Sequence, residues 1–216
     1  MLIFNEGFVC IAMAAPLFLG IAAAVGGAIE NFQNKRMMRV WLVLLFLPMS
    51  LEGVTDEMSF DRHETVVIER VIAIAPESME TRLARAPDLT KVLPWFLALG
   101  FPTAQSYTSE GSDIGQQRCF RTPGRKKPVG EVCWRIDQRT ANSVRFKRVK
   151  DESKIAHWLT WQNAHVEWFP QDKTHTRVKV TLKFWRELDP AWYFGPMQRY
   201  AVGLTGDYLI GAYLER

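Results

Sequence analysis

RVKVTLKFWREL, from Arg177 to Leu188, followed directly by DPAWYFGPMQRYAVGLTGDYLIGAYL, from Asp189 to Leu214, decides the reading of this chain. The first stretch alternates. Val178, Val180, Leu182 and Phe184 share one face of an extended strand, and Arg177, Lys179, Thr181 and Lys183 share the other. Such a strand belongs to a sheet that is wet on one side and covered on the other. The second stretch supplies the cover. Tyr193, Met197, Tyr200, Ala201, Leu204 and Tyr208 recur at three- and four-residue intervals, the stripe of an amphipathic helix. The spacing predicts a long terminal helix lying across the apolar face. Gly195 and Pro196 blur its start, and Gly203, Gly206 and Gly211 either weaken it or permit close packing.

Upstream, the same alphabet of strands and turns continues. TAQSYTSE, IGQQRCFRT, VGEVCWRIDQ, SVRFKRVK and IAHWLTWQNAHVEWF are strand-like runs, separated by GSD, PGRKKP, RTAN, DESK and, before the last strand, PQDKT. Short turns join neighbours in antiparallel order, which makes a meander. Before it, ETVVIERVIAIA (64–75) alternates with Val66, Ile68, Ile72 and Ile74 on its more apolar parity, the one expected to face the core. Pro76 and Glu77 open a helix that presents Met79, Leu83 and Ala86 and ends at Pro87. DLTKVLPWFLALG (88–100) reads as a second helical segment, capped by Asp88, split by Pro94 and stopped by Gly100.

The order strand, two short helices, about six antiparallel strands, long terminal helix resembles the START-like (SRPBCC) superfamily of polyketide cyclases, lipid-transfer domains and related ligand binders. The pieces that carry the resemblance are VVIERVIAIAPESMETRLARAPDLTKVLPW, the AHVEWFPQDKTHTRVKVTLKF hairpin and the terminal DPAWYFGPMQRYAVGLTGDYLIGAYL. It covers roughly 64–214 and rests on element order, since the superfamily has no invariant catalytic signature. It implies an α+β helix-grip domain over 64–216, a curved antiparallel sheet around the C-terminal helix, enclosing a mostly apolar cavity for a hydrophobic or amphiphilic small molecule or lipid.

The chain's own chemistry agrees in kind, because an apolar pocket needs large walls and a few orienting polar groups. Phe120 and, on one parity of the neighbouring strand, Trp134 and Ile136 are candidate wall residues, with Trp161, Phe184, Tyr200, Leu204 and Tyr208. The alternative for each is simply to fill the core. Arg118 shares the parity of Phe120 and is the candidate anchor for a carboxylate or phosphate head. His165 and Glu167 would offer acid and base chemistry if they faced inward, but the opposite parity of their strand is more apolar and points them at water. No catalytic or metal-binding residue is assigned. The four histidines lack zinc spacing, and no CxxC, glycine-rich phosphate loop or GxSxG elbow is present. No cofactor is implied. Two function classes stand beside the binder: a cyclase or dehydratase-type enzyme, and a protein-interaction module whose pocket has collapsed.

The 216 residues average 48% hydrophobic with a formal charge of +4, which excludes a disordered chain. The average hides an oily start. Phe8 to Ile29 is 22 residues without a charge, long enough to span a bilayer; a signal peptide is the rival, yet no basic n-region precedes it. Val40 to Val54 forms a second, shorter run that needs Met37 and Met38, with Arg39 snorkelling, to span; a buried hairpin arm or an interfacial helix is the alternative. Residues 1–54 thus read as a membrane anchor with spans at 8–29 and 38–54, and 55–63 as a polar linker. Lys35, Arg36 and Arg39 lie between the runs, placing that loop in the cytoplasm and the body outside it. Acidic residues interleave with the basic ones of the body, so nucleic acid is not an expected partner; the membrane is. If the PGRKKP hairpin turns about Lys126, Cys119 and Cys133 are equidistant from it and face each other at ~5 Å, close enough for a disulfide. Two reduced thiols on a cytosolic sheet are the alternative.

Overall fold

The computed structural model describes residues 15–23, 26, 52, 55–126 and 128–215. The chain divides into two compact units: residues 1–61 with 189–196, and residues 62–188 with 197–216.

In the first unit, residues 15–23 and 26 are helical, with Phe18, Leu19 and Ile21 exposed. The rest of the 8–29 run lies outside the described residues, as does the 38–54 run except for Glu52. Among the described residues no helix is long and apolar enough to cross a membrane. Asp56–Met58 forms a 3-10 turn inside the expected linker. The Glu52 carboxylate accepts a hydrogen bond from Ala191 N at 2.8 Å, placing an anion at the start of the terminal helix, where free amides favour it.

The second unit holds a seven-stranded sheet: β1 (His63–Ile72), β2 (Ser106–Ser109), β3 (Gln117–Pro123), β4 (Val129–Thr140), β5 (Ser143–Asp151), β6 (Leu159–Pro170) and β7 (Thr176–Arg186). Its order is β1-β7-β6-β5-β4-β3-β2, antiparallel throughout. The meander read from the turns is therefore present, closed by β1 on β7. The apolar parity of β1 does face inward: Val66, Ile68, Ile72 and Ile74 join the core, while Val67 and Val71 are exposed. On β7, Val178, Val180, Leu182 and Phe184 are all buried. The β3–β4 register sets Cys119 opposite Cys133, and the two are joined in a disulfide.

The crossover from β1 to β2 carries a 3-10 turn at Pro76–Ser78, helix α1 (Met79–Ala84) and helix α2 (Trp95–Ala98). The expected second helix over 88–100 is thus reduced to four residues. Asp88 does not cap a helix; its carboxylate accepts hydrogen bonds from Thr90 N (3.0 Å) and Thr90 Oγ1 (2.6 Å), closing a local turn that competes with helix. Pro94 keeps the helix from starting earlier.

Helix α3 (Ala191–Leu214) is the long terminal element. Its sheet-facing stripe is not the aromatic one. Val202 and Ile210 pack in the core, and between them a Cβ on Gly206 would lie 2.6 Å from Ile68 Cδ1 and 3.2 Å from Leu182 Cδ1. Gly203 leaves more room, since a Cβ there would meet Val66 Cγ1 at an ordinary 3.8 Å. Gly206 therefore permits close packing, and it rotates the helix so that its bulkier residues stand on the opposite flank.

Candidate functional site

The inner face of β2 to β5, with Tyr213 on α3, builds the polar centre of the interior. Arg118 projects inward from β3 and is only 4% exposed. Its Nη1 donates to Leu83 O at the end of α1 (2.8 Å) and its Nη2 to Ser112 Oγ (3.1 Å). The guanidinium carbon lies 5.4 Å from the centre of the Phe146 ring, within cation–π range. Arg118 Nε is buried without a hydrogen-bond partner, and no carboxylate pairs with this side chain among the described residues. Ser112 is itself held by Arg139, whose Nη1 donates to the Ser112 carbonyl while Nη2 pairs with Glu80 at 3.0 Å.

Aromatic rings surround the guanidinium. Tyr107 on β2 packs against Phe120 (5.2 Å between centroids) and edge-on to Tyr213 (6.3 Å), and its Oη is buried without a hydrogen bond of normal geometry. Burial drives the Tyr213 phenol well above its ordinary pKa, with the Tyr107 hydroxyl adding to the effect and the Arg118 charge opposing it. The phenol is therefore neutral and cannot serve as a counter-ion. Trp134 stacks at 5.9 Å on Trp161, which meets Phe184 at 6.2 Å.

The residues expected from sequence fall into three groups. Arg118, Phe120 and Trp134 share this inner face, and both aromatics are only half-buried although they point inward. Ile136, Trp161 and Phe184 are buried members of the core cluster. Tyr200, Leu204 and Tyr208 lie on the other flank of α3: Tyr200 is 49% exposed against Phe96, and the Tyr208 hydroxyl donates to Leu89 O at 3.3 Å. Tyr107, Ser112, Phe146 and Tyr213 belong to the site but escaped the sequence reading. Pairing would have found two of them, since Tyr107 stands opposite Phe120, and Phe146 opposite Ile136.

His165 and Glu167 sit on the face of β6 opposite Ala164, Val166 and Trp168, which pack on the core. Their side chains approach each other at 3.8 Å, with Lys179 at 3.9 Å from Glu167. A separate cleft of about 430 Å³ lies where β5 and β6 stop pairing at Lys147 and Asn163. Trp161, one of the expected wall residues, lines it beside Asp137, Arg145, Lys147, Arg148, Gln162 and Asn163, so its walls are mixed rather than mostly apolar. No group of His, Cys, Asp or Glu side chains among the described residues is placed to hold a metal ion.

A seven-stranded antiparallel sheet with a long C-terminal helix is consistent with a helix-grip fold. No protein-family model and no curated protein matches the chain. Among solved structures it is similar to a START superfamily protein from Mycobacterium smegmatis, with 14% identity, a TM-score of 0.49 and coverage of 68% of this chain and 92% of that one. It is similar to truncated norcoclaurine synthase from Thalictrum flavum, with 14% identity, a TM-score of 0.46 and coverage of 71% and 95%. It is also similar to the Zhui aromatase/cyclase from a Streptomyces species, with 11% identity, a TM-score of 0.41 and coverage of 71% and 98%.

Proposed function

We propose that the helix-grip body binds a hydrophobic or amphiphilic small molecule or lipid in its interior and carries it without transforming it. One observation supports this most: the inward-facing rings of Tyr107, Phe120, Trp134, Phe146 and Tyr213 keep accessible surface around a buried guanidinium, whereas Ile136 and Phe184 on the same inner face have none. Rings that only filled a core would close on one another to the density of Ile136 and Phe184. Their spare surface is what an apolar ligand would cover.

The apolar runs at 8–29 and 38–54 would tether this body to a bilayer, where such ligands reside, with the body on the extracytoplasmic side. The Cys119–Cys133 bond fits that placement, since disulfides persist in oxidising compartments. A cyclase or dehydratase would need a proton-transfer group poised near neutral pH. The upward shift keeps the Tyr213 phenol protonated at neutral pH, and His165 and Glu167 lie on the other face of the sheet, so the carrier reading is favoured.

The test uses the full-length chain, purified in detergent, extracted with organic solvent and examined by mass spectrometry, with 1-anilinonaphthalene-8-sulfonate titrated into the stripped protein. A co-purified amphiphile and saturable, displaceable dye binding are expected. Empty extracts from several hosts together with no saturable dye binding would leave the collapsed-pocket alternative.

A further inference from the structure

We infer that the interior is a receptor for the carboxylate head of an apolar monoacid, with Arg118 as the charge partner and Tyr107 as a second hydrogen-bond donor. The inference rests on the ligand-binding reading above and names the chemical class that site takes.

Several other long cations of the body are paired with carboxylates. Arg70 pairs with Asp207 and Glu215, Arg139 with Glu80, Lys150 with Glu131 and Glu152, and Arg199 with Glu64. These pairs stand at or near solvent, where a missing partner would cost little. Arg118 reverses the pattern. It is far more buried than any of them, and among the described residues it has no anion, but a carbonyl, a serine hydroxyl, an aromatic face and the neutral Tyr213 phenol. An ionised side chain held in an apolar interior without a counter-charge is strongly disfavoured, so such an arrangement persists where something else supplies the charge.

Nη1 and Nη2 each donate once, to Leu83 and Ser112, and Nε is a further N–H buried without a hydrogen-bond partner. Tyr107 Oη is the other buried group in the same cluster without a hydrogen bond of normal geometry, and both it and Arg118 act on the neighbouring Tyr213 phenol. Two donors and one positive charge match the two oxygens and single charge of a carboxylate. A doubly charged phosphate monoester would bring one charge more than Arg118 neutralises, and the nearby Arg139 is already paired with Glu80. Phe120, Trp134 and Phe146 give the walls on which the apolar remainder of the acid would lie.

The experiment compares dodecanoic acid, dodecanol and dodecyl phosphate as ligands for the stripped full-length protein by isothermal titration calorimetry at neutral pH. The acid should bind at least about ten-fold more tightly than the alcohol, the worth of one charge-assisted hydrogen bond, and more tightly than the phosphate. Arg118→Met should bring the acid down to the affinity of the alcohol. Tyr107→Phe, which keeps the ring and removes only the hydroxyl, should weaken the acid several-fold more than the alcohol, and it carries the test if the arginine variant does not fold. Equal affinity for acid and alcohol in the native protein, a preference for the phosphate, or a preference for the acid that survives in a folded Arg118→Met protein would overturn the inference while leaving the ligand-binding reading intact. Failure of all three chains to bind would overturn both.

Discussion

Reducing the Cys119–Cys133 bond should destabilise the body by an amount that the closed loop sets. The two cysteines are 14 residues apart, and a loop of that length restricts the unfolded chain by about 3 kcal/mol. For a body of roughly 150 residues, each kcal/mol moves the melting temperature by about 2–4 °C, so the expected fall is roughly 6–12 °C. The assay is circular-dichroism melting of the full chain with and without a phosphine reductant, set beside the double variant Cys119→Ala, Cys133→Ala. Alanine is the right replacement because Cys133 is buried and a serine there would bury a hydroxyl. Reduction and substitution should give the same curve, because the bond acts mainly on the unfolded state and the β3–β4 hydrogen bonds remain in the folded one. Alkylation of the unfolded, unreduced protein should label one cysteine of the three in the chain. Three labelled thiols in protein prepared without reductant, or a melting temperature that moves by less than about 2 °C on reduction, would refute the reasoning.

Glycine substitutions should separate close backbone approach from mere absence of a side chain. A Cβ on Gly130 would lie 2.3 Å from Glu152 O and 2.9 Å from Gly124 Cα, both backbone, so Gly130→Ala must push apart the segments joined by the Arg125 N to Glu152 O hydrogen bond, at a cost of about 2–4 kcal/mol in urea denaturation. A Cβ on Gly203 would meet only Val66 Cγ1 at 3.8 Å, so Gly203→Ala should gain up to about 1 kcal/mol from helix propensity; equal effects at the two sites would contradict this packing. Backbone and side-chain donors from Thr174 and His175 hold the Asp172 carboxyl at about 2, below its usual 3.8. A depressed carboxylate stabilises the fold fully above its unfolded pKa and loses that contribution as pH falls through the folded one. Asp172→Asn should therefore flatten the melting-temperature profile between about pH 4 and pH 2, and parallel profiles would show that the turn contributes nothing.

What sequence could and could not show follows from the kind of signal each feature leaves. The sheet was legible because a period of two runs through β1 and β7, where more and less buried residues alternate along each strand. The Cys119–Cys133 contact was legible because a tight turn fixes the register on both sides of it. The segment over 88–100 misled because its composition suits a helix, while Asp88 prefers the Thr90 turn and Pro94 removes the amides that would link the two halves. The orientation of α3 misled for a deeper reason. Periodicity weighs large side chains, and α3 meets the sheet most closely at Gly206, where contact is made by having none. The aromatic stripe is real but covers the other flank, where Phe96 and Leu89 receive Tyr200 and Tyr208. In the site, parity within one hairpin found Arg118, Phe120 and Trp134; Tyr107, Phe146 and Tyr213 come from separate elements and needed the sheet order to join them.

The two faces of the sheet treat charge in opposite ways, and the contrast bears on function. On the outer face charges compensate locally: Lys150 lies between Glu131 and Glu152, lowering the Glu131 pKa and raising its own, and Lys179 approaches Glu167. Such pairs are cheap to make and cheap to lose. The inner face has two buried arginines. Arg186, at the end of β7, donates Nη1 to Leu188 O at 2.6 Å and has further interactions. Arg118 has no carboxylate partner among the described residues, and a hydrophobic side chain of its length would fill the same space without the desolvation cost. Stability alone therefore gives no reason for an arginine at 118. A ligand that brings the missing charge does: it binds where the empty protein is least satisfied, so the same feature that lowers stability without ligand raises affinity for the acid. The corollary is a trade that one pair of measurements exposes. Arg118→Met should melt at the same temperature as the native protein or above it when both are stripped, and below it when both are saturated with dodecanoic acid.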